Sequence, residues 1–334
     1  MKKKLSAVLS ALFLLLCCAL PVFAAPQIPQ GEETLEVKLA YEKRPLSGVT
    51  VTLHRVADIT EVSPWITFTL SGEFANYPVK LEDLDSDGWA DAAFTLANYA
   101  VADDITPDAT TKTGADGYAQ FDKIEQGLYL VRAEKYVDGK GYRYTAAPTL
   151  LELPAYKESD HKWELNAEVE MKVERTPKPE ESETDTPDTP DMPSDSVTTT
   201  GTSLSVHKVW NSGRAEQPES VTVEVVTEGK SVANAQLTAA TGWCHTFTGL
   251  DSSKQYSVVE RGVPQGYTVT ISKGSDGYII TNTAVDYTQA VQPALTGLIP
   301  QTGLLWWPVP VLAVLGLLLF AAGWKKHNDS KRDS

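Results

Sequence analysis

The chain has 334 residues, enough for two domains with separate cores, and a net charge of −15. A surface this acidic repels phosphate backbones, which excludes a nucleic-acid partner. Of the three cysteines, only Cys244 lies outside the N-terminal apolar run, so the folded part cannot form an internal disulfide.

The N-terminus has the pattern of a secretory signal peptide. Three lysines precede an apolar run from Leu5 to Leu20, and small residues follow at Val22 and Ala24. We expect cleavage after Ala24, which makes residues 1–24 the signal peptide. The alternative, an N-terminal membrane anchor, requires a longer run and no cleavage site.

The first folded region is expected over residues 33–174 and consists mostly of strands. Alternating apolar and polar residues with β-branched enrichment predict them. The segments are LEVKL, GVTVTLHRV, ITFTL, YAQFDKI, LYLVRAE and WELNAEVEM.

One helical insert interrupts these strands. Its apolar residues recur at helical spacing and predict one buried face, with Asp85 or Ser86 as the N-terminal cap. The face consists of Trp89, Ala92, Ala93, Leu96 and Tyr99.

The acidic segment before the helix has the spacing of a calcium loop at Asp83, Asp85 and Asp87. Phe94 stands at the twelfth position, where an EF-hand needs a bidentate acid. An acidic helix N-terminus favoured by the helix dipole explains the cluster without a metal. Calcium binding remains the alternative.

Residues 175–202 are rich in Pro, Asp, Glu, Ser and Thr and nearly free of apolar side chains. Such a segment cannot bury enough surface to fold, so we expect an extended linker. It separates the first region from a second one over residues 203–283.

The second region is predicted to be a small antiparallel β-sandwich, because short alternating segments are separated by turn signals. The segments are LSVHKVW, SVTVEVV, WCHTF, YSVVE, YTVTIS and YIITNT. Alternation places Lys208 among the inward residues of the first segment, Glu260 in the fourth and Asn282 in the last.

Three inward polar residues call for a joint explanation, because an unpaired buried charge is costly. In an apolar interior the Lys208 amine is pushed towards its neutral, nucleophilic form and the Glu260 carboxyl towards protonation. We therefore expect a Lys208–Asn282 amide crosslink, formed with Glu260 as the proton-transfer catalyst. The alternative is an ordinary buried Lys208–Glu260 ion pair with Asn282 as a neighbour.

Several segments of this region resemble the collagen-adhesin B-type (Cna-B) domain. They are KVW, SVTVEV, the Trp243–Phe247 pair, YSVVERGVPQGY and IITNT, and YSVVERGVPQGY also resembles the E-box of Gram-positive pilins. In that family the matching lysine, asparagine and glutamate form a spontaneous isopeptide bond. The resemblance implies an all-β chain of two immunoglobulin-like (Cna-B-type) sandwiches.

The first region resembles the N-terminal domain of two-domain pilins through GVTVTLHRVAD, GLYLVRAE and a tryptophan-led last strand. Alternation turns Lys38 and Asn166 outward, so we predict no isopeptide bond of the same type here. Lys172, nine residues after Trp163, faintly resembles the lysine through which shaft pilins polymerise, although the preceding Tyr and Pro are absent. An ordinary exposed lysine is the alternative.

The C-terminus follows a polar spacer over 284–298. A pentapeptide precedes a predicted transmembrane helix over 304–324 and a basic cytoplasmic tail over 325–334. This arrangement resembles the LPxTG sorting signal in its IPxTG form, which implies that a sortase cleaves between Thr302 and Gly303. A plain membrane anchor is the alternative. The pentapeptide is Ile299, Pro300, Gln301, Thr302 and Gly303.

Together these features predict a secreted, cell-wall-anchored structural protein of a Gram-positive bacterium, a pilin subunit. Its expected partners are a sortase and, covalently, peptidoglycan or another pilin subunit. The alternative is a monomeric adhesin that binds a host ligand through the first region. The histidines show no ligand spacing and no catalytic triad or phosphate loop is apparent, so we expect no metal, no cofactor and no enzymatic activity beyond self-crosslinking.

Overall fold

A computed structural model describes residues 28–29, 31–62, 65–157, 162–177, 201–211, 217–274 and 277–285. The predicted signal peptide, sorting motif, membrane span and tail lie outside these residues, as does most of the predicted linker. Within the described ranges no helix is long and apolar enough to cross a membrane. The described residues up to Ala284 belong to one compact unit.

The first region is a β-sandwich with additional short strands outside its two main sheets. One main sheet has the strand order β14-β1-β7, and the other has the order β11-β8-β4-β5, with β6 paired to β4. The strands are β1 (Glu33–Lys38), β2 (Ala40–Tyr41), β3 (Arg44–Pro45), β4 (Thr50–Val62), β5 (Trp65–Leu70), β6 (Ala109–Lys112), β7 (Tyr118–Ile124), β8 (Gly127–Ala133), β9 (Tyr136–Val137), β10 (Arg143–Ala146), β11 (Thr149–Leu153), β12 (Ala155–Lys157), β13 (Lys162–Glu164), β14 (Asn166–Glu170) and β15 (Val173–Thr176).

The core of this sandwich lies between the two main sheets. Leu35 and Val37 of β1 pack with Leu53 of β4 and Val131 of β8, and all four are fully buried. The alternation that the sequence shows in β1 is the cause, since every second side chain of a strand points to the same face.

Helix α1 (Ser86–Ala102) lies on the outer face of the β4–β8 sheet. Asp85 is its cap, because its Oδ1 accepts a hydrogen bond of 2.8 Å from the Gly88 N–H. Leu96 and Ala93 pack against Leu128 and Leu130 of β8 in a second core cluster. The predicted helix and its capping residue are confirmed.

The second region is a separate two-sheet sandwich with sheet orders β19-β16-β22-β21 and β18-β17-β20. Its first and last strands, β16 and β22, are parallel neighbours in one sheet, so the predicted antiparallel arrangement is wrong for this pair and correct for the others. The strands are β16 (Gly201–Asn211), β17 (Ser220–Thr227), β18 (Lys230–Thr238), β19 (Cys244–Asp251), β20 (Ser257–Arg261), β21 (Tyr267–Gly274) and β22 (Gly277–Ala284).

The predicted fold class, all-β with a helical insert in the first sandwich, is confirmed for the described residues. Strand β18 was not predicted, and neither were the shorter strands β2, β3, β6, β9, β10, β11, β12 and β15 of the first region. In β18 the residues that alternate inward include Ala233 and Ala235, whose small side chains give a weak strand signal.

Candidate functional site

Three polar side chains meet in the interior of the second sandwich. Lys208 is 5% exposed, Glu260 1% and Asn282 0%. They come from β16, β20 and β22, so both sheets contribute to the cluster. The surrounding core includes the aliphatic side chains of Val206 and Ile280, both fully buried. We call Lys208, Glu260 and Asn282 the buried triad.

Strand register explains how the triad assembles. Lys208 of β16 lies opposite Ile280 of the parallel strand β22, and Trp210 lies opposite Asn282. Lys208 and Asn282 are therefore two positions apart along adjacent strands and share the inward face. Glu260 enters from the facing sheet, where it lies opposite Val223 of β17.

The Glu260 carboxylate contacts both other members of the triad. Its Oε2 lies 3.6 Å from Lys208 Nζ, and its Oε1 accepts a hydrogen bond of 2.7 Å from Asn282 Nδ2. The lysine ammonium also donates to the backbone oxygens of Val209, at 3.0 Å, and Ile280, at 3.4 Å. Asn282 Oδ1 has no hydrogen-bond partner within the described part of the chain. One carboxylate thus connects the amine and the carboxamide.

Aromatic rings pack on one side of the Lys208 amine. Lys208 Nζ lies 4.1 Å from the ring centroid of Trp210, a distance typical of a cation–π contact. Trp210 in turn makes edge-to-face contacts with Trp243 and Tyr267, at centroid distances of 5.2 and 5.3 Å. The Lys208 side chain is fully buried beside these rings.

Burial shifts the two ionisable groups of the triad towards neutrality. Desolvation lowers the pKa of Lys208 to about 8, against the opposing attraction of Glu260. Desolvation also raises the pKa of Glu260, and the nearby Lys208 only partly offsets the shift. The site can therefore hold an uncharged amine beside a protonated carboxyl, which is the state that nucleophilic attack on a carboxamide requires.

The counterpart residues of the first sandwich do not form such a cluster. Its first and last strands, β1 and β14, are also parallel neighbours. Lys38, however, lies on the outward face and pairs with Glu170 at 3.0 Å. Asn166 is exposed and accepts a hydrogen bond from the Thr34 hydroxyl. The outward orientation predicted for Lys38 and Asn166 is confirmed.

The remaining candidate residues lie apart from the triad. Lys172 is exposed in the short connection between β14 and β15, and its backbone oxygen accepts from the Ala147 N–H. Asp85 serves as the helix cap, and the part of the chain that the structure describes contains no cluster of metal-ligand side chains. The sorting motif over 299–303 lies outside the described residues.

Sequence reasoning missed the second contact surface of α1. Tyr99 and Phe94 pack into the core of the second sandwich, and the Tyr99 hydroxyl donates to the backbone oxygen of Glu260 at 3.1 Å. One signal was present: no charged residue occurs from Ala92 to Ala102. A helical segment without a charged residue on any side is expected to be buried on more than one side, so one predicted face was too few.

Comparison with known proteins identifies the second sandwich. Residues 204–283 match the sequence model of the Cna protein B-type domain. No curated protein matches the chain. The second sandwich therefore has the Cna B-type fold.

Three similar solved structures come from surface proteins. The single B repeat unit of the collagen-binding surface protein of Staphylococcus aureus is 14% identical, covers 77% of this chain and 100% of its own, and has a TM-score of 0.25. The shaft pilin SpaA of Lactobacillus rhamnosus GG is 15% identical over 76% of this chain and 98% of its own, with a TM-score of 0.27. A minor pilin of Streptococcus agalactiae is 15% identical over 76% and 96%, with a TM-score of 0.23.

Proposed function

We propose that the chain is a cell-wall-anchored pilin subunit whose second sandwich carries an intramolecular Lys208–Asn282 isopeptide bond. The observation that supports it best is the Glu260 carboxylate, which contacts both the amine and the carboxamide in a dry core. An ordinary buried ion pair is a weak stabiliser and gives no reason to place a carboxamide against the same carboxylate.

The three residues of the buried triad supply every group that the proposed reaction needs. Proton transfer from the Lys208 ammonium to Glu260 produces a neutral amine and a protonated carboxyl. After the Asn282 amide turns its oxygen towards Glu260, the carboxyl proton polarises that carbonyl, and Lys208 Nζ attacks Cγ. The Cγ–Nδ2 bond then breaks as Glu260 gives its proton to the leaving nitrogen, and one ammonia is released. Glu260 takes up the second proton, which Lys208 Nζ loses as it becomes the amide nitrogen. No oxidant or cofactor enters the balance.

The position of Glu260 suits a proton carrier. It begins beside the donor, Lys208, and ends beside the leaving group on Asn282, so it can accept and return the proton without moving far. The low dielectric of the core lowers the cost of the neutral pair relative to the ion pair. The amine is shielded from water, because the Lys208 side chain is fully buried beside the Trp210 ring.

Intact mass tests the crosslink directly. The recombinant exported chain, residues 25–302, should be lighter than its calculated mass by one ammonia. Glu260→Ala should restore the calculated mass, since the proton carrier is lost, whereas Glu168→Ala, an exposed glutamate of β14 in the first sandwich, should leave the deficit unchanged. An exported chain of full calculated mass contradicts the proposed reaction.

Attachment to the wall rests on the IPQTG pentapeptide and the apolar and basic segments that follow it. We propose that a sortase cleaves between Thr302 and Gly303 and transfers the threonine carboxyl to peptidoglycan or to another pilin subunit. Thr302→Ala should leave the protein in the membrane fraction. Release of that variant by a wall hydrolase as readily as the parent contradicts sortase attachment.

Polymerisation is proposed to use the exposed Lys172. Wall extracts on a denaturing gel should then show a ladder of high-mass species that disappears in Lys172→Ala. Lys162→Ala, which removes an exposed lysine of β13, is the matched control. A single band from the parent indicates a monomeric adhesin instead, and a ladder that survives in Lys172→Ala places the linkage at another amine.

A further inference from the structure

Helix α1 of the first sandwich runs along two strand edges of the second sandwich. Strand β20 ends one sheet and β21 ends the other, so their outward backbone groups have no strand partner. Residues Pro78, Thr95, Asn98 and Tyr99 supply partners for these groups instead. We call this contact the helix–edge interface.

On β20 the interface fixes the strand that holds Glu260. The Val258 N–H donates to Asn98 Oδ1 at 2.9 Å, and the Tyr99 hydroxyl donates to the Glu260 backbone oxygen at 3.1 Å. Glu260 therefore has its backbone held by the helix while its side chain points into the triad. Asn98 and Tyr99 are 4% and 3% exposed, so water does not compete for these bonds.

On β21 the interface fixes the strand next to Asn282. The Ile271 N–H donates to Thr95 Oγ1 at 2.7 Å, and the Val269 N–H donates to the Pro78 backbone oxygen at 2.8 Å. Val269 lies directly opposite Asn282 in the β21–β22 pairing. The helix thus holds the strand of the proton carrier. Together with Pro78, which precedes it in the chain, the helix also holds the neighbour of the strand that carries the electrophile.

The same helix also excludes water from the open side of the sandwich. Tyr99 is part of the core that contains Val258 and Ile280, and Phe94 stacks on Tyr278 of β22 at a centroid distance of 5.8 Å. Arg261, next to Glu260, pairs with Asp103 at the C-terminal end of the helix at 2.6 Å. The interface therefore combines buried apolar contacts and hydrogen bonds inside with an ion pair at its rim.

We propose that docking of α1 completes the crosslinking pocket, so that the first sandwich controls isopeptide formation in the second, with Tyr99 as a positioning residue for Glu260. This inference rests on the proposed crosslink. The reaction is the one described above, in which the Lys208 Nζ–Cγ bond forms, the Cγ–Nδ2 bond breaks and ammonia leaves. The helix takes no part in the bond changes and acts by fixing Glu260 and keeping the pocket dry.

The deciding variant is Tyr99→Phe, which removes one hydroxyl and keeps the ring in the core. The exported chain is made by cell-free synthesis, translation is stopped, and intact mass is followed over time. Loss of one buried hydrogen bond to the Glu260 strand should slow ammonia release by roughly two- to tenfold. Tyr129→Phe is the matched control, because Tyr129 is also buried and donates to a backbone oxygen, that of Glu125, within the first sandwich.

A second variant, Phe94→Asp, should undock the helix from the second sandwich. Phe94 packs against the second core only, so the contacts of α1 with the first sandwich are retained. Ammonia release should slow more than about tenfold, since burying an unpaired carboxylate opposes docking. Thermal unfolding of both variants checks that the chain remains folded.

The pH dependence of the rate of ammonia release distinguishes the proposed role of the helix from a general loss of stability. In that role the helix positions Glu260 and keeps water out of the pocket. The reactive state holds one proton shared by Lys208 and Glu260, so the rate should rise and then fall with pH. Of the described groups, Tyr99 faces Glu260 from the helix, and burial raises its pKa well above the working range. Water entering the pocket of Phe94→Asp should move the Lys208 pKa up and the Glu260 pKa down, which broadens the profile while lowering its maximum. A merely destabilised chain keeps the parent profile.

The outcomes separate this inference from the proposed function. A parent chain that never loses ammonia overturns both. A parent that loses ammonia, together with Tyr99→Phe and Phe94→Asp chains that lose it at the parent rate with the parent pH profile, overturns only the role of the helix. Slower release in Tyr99→Phe than in Tyr129→Phe, with a broadened profile in Phe94→Asp, supports it.

Discussion

Replacing Lys208 with methionine removes the proposed attacking amine and keeps an unbranched side chain in the same apolar space. The proposed amide closes a loop of about 75 residues, from Lys208 in β16 to Asn282 in β22. Restricting the unfolded chain with a covalent link of that span stabilises the fold by about 4.5 kcal/mol at 25 °C in the chain-entropy relation. Lys208→Met should lose this contribution.

The Glu260 carboxyl, which has no amine partner in Lys208→Met, adds little to this loss of stability. Burial already raises the pKa of Glu260, and without Lys208 the group can take up a proton instead of remaining an unpaired buried charge. In a cooperative unit of about 250 residues, 1 kcal/mol corresponds to about 2–4 °C, so Tm should fall by roughly 9–18 °C.

Scanning calorimetry of the exported chain, with intact mass measured on the same samples, checks this expectation. Lys38→Met is the matched control, because Lys38 also lies on a first strand that pairs in parallel with the last strand of its sandwich. Lys38 is directed outward, so its replacement should change stability by no more than about 0.5 kcal/mol. If Lys208→Met melts within a few degrees of the parent, the crosslink does not stabilise this domain.

Three further predictions concern pH, the helix cap and calcium. The rate of ammonia release should fall as pH rises above about 8, where Lys208 loses the proton that the pair shares, and should fall in acid as Glu260 binds a second one; a flat rate between pH 4 and 10 contradicts this. Asp85→Ala should lower stability by about 1 kcal/mol in denaturant unfolding, while Asp85→Asn retains the cap; equal losses in both variants speak against a capping role. A calcium chelator should leave Tm unchanged, because Asp85 is engaged by the helix; a drop on chelation restores the calcium alternative.

The buried triad was predictable from the sequence because strand parity is a local property. Once β16, β20 and β22 are recognised as strands, a period of two decides which side chains point inward. The same rule placed Lys38 and Asn166 on the outside of the first sandwich. The role of Asp85 was equally predictable, because a capping residue is identified by its position at the start of its own helix.

The helix–edge interface could not be derived in the same way. It joins residues about 160 positions apart, such as Asn98 and Val258, and no local pattern encodes which distant edge a helix will cover. The uncharged run from Ala92 to Ala102 indicates burial on more than one side but gives no partner. Thr95 and Asn98 are polar within that run, and their role is seen only in the structure, where they accept hydrogen bonds from backbone N–H groups at the two strand edges.

The parallel pairing of β16 with β22 has a mechanical consequence. The chain enters this sandwich at the start of one strand and leaves it at the far end of its neighbour, so tension along the chain draws the two strands past each other in opposite directions. Their hydrogen bonds are then loaded in shear and share the force, instead of opening one after another as in a peeled hairpin. If the chain is the wall-anchored subunit proposed above, this strand geometry makes it resist extension before any covalent bond carries the load.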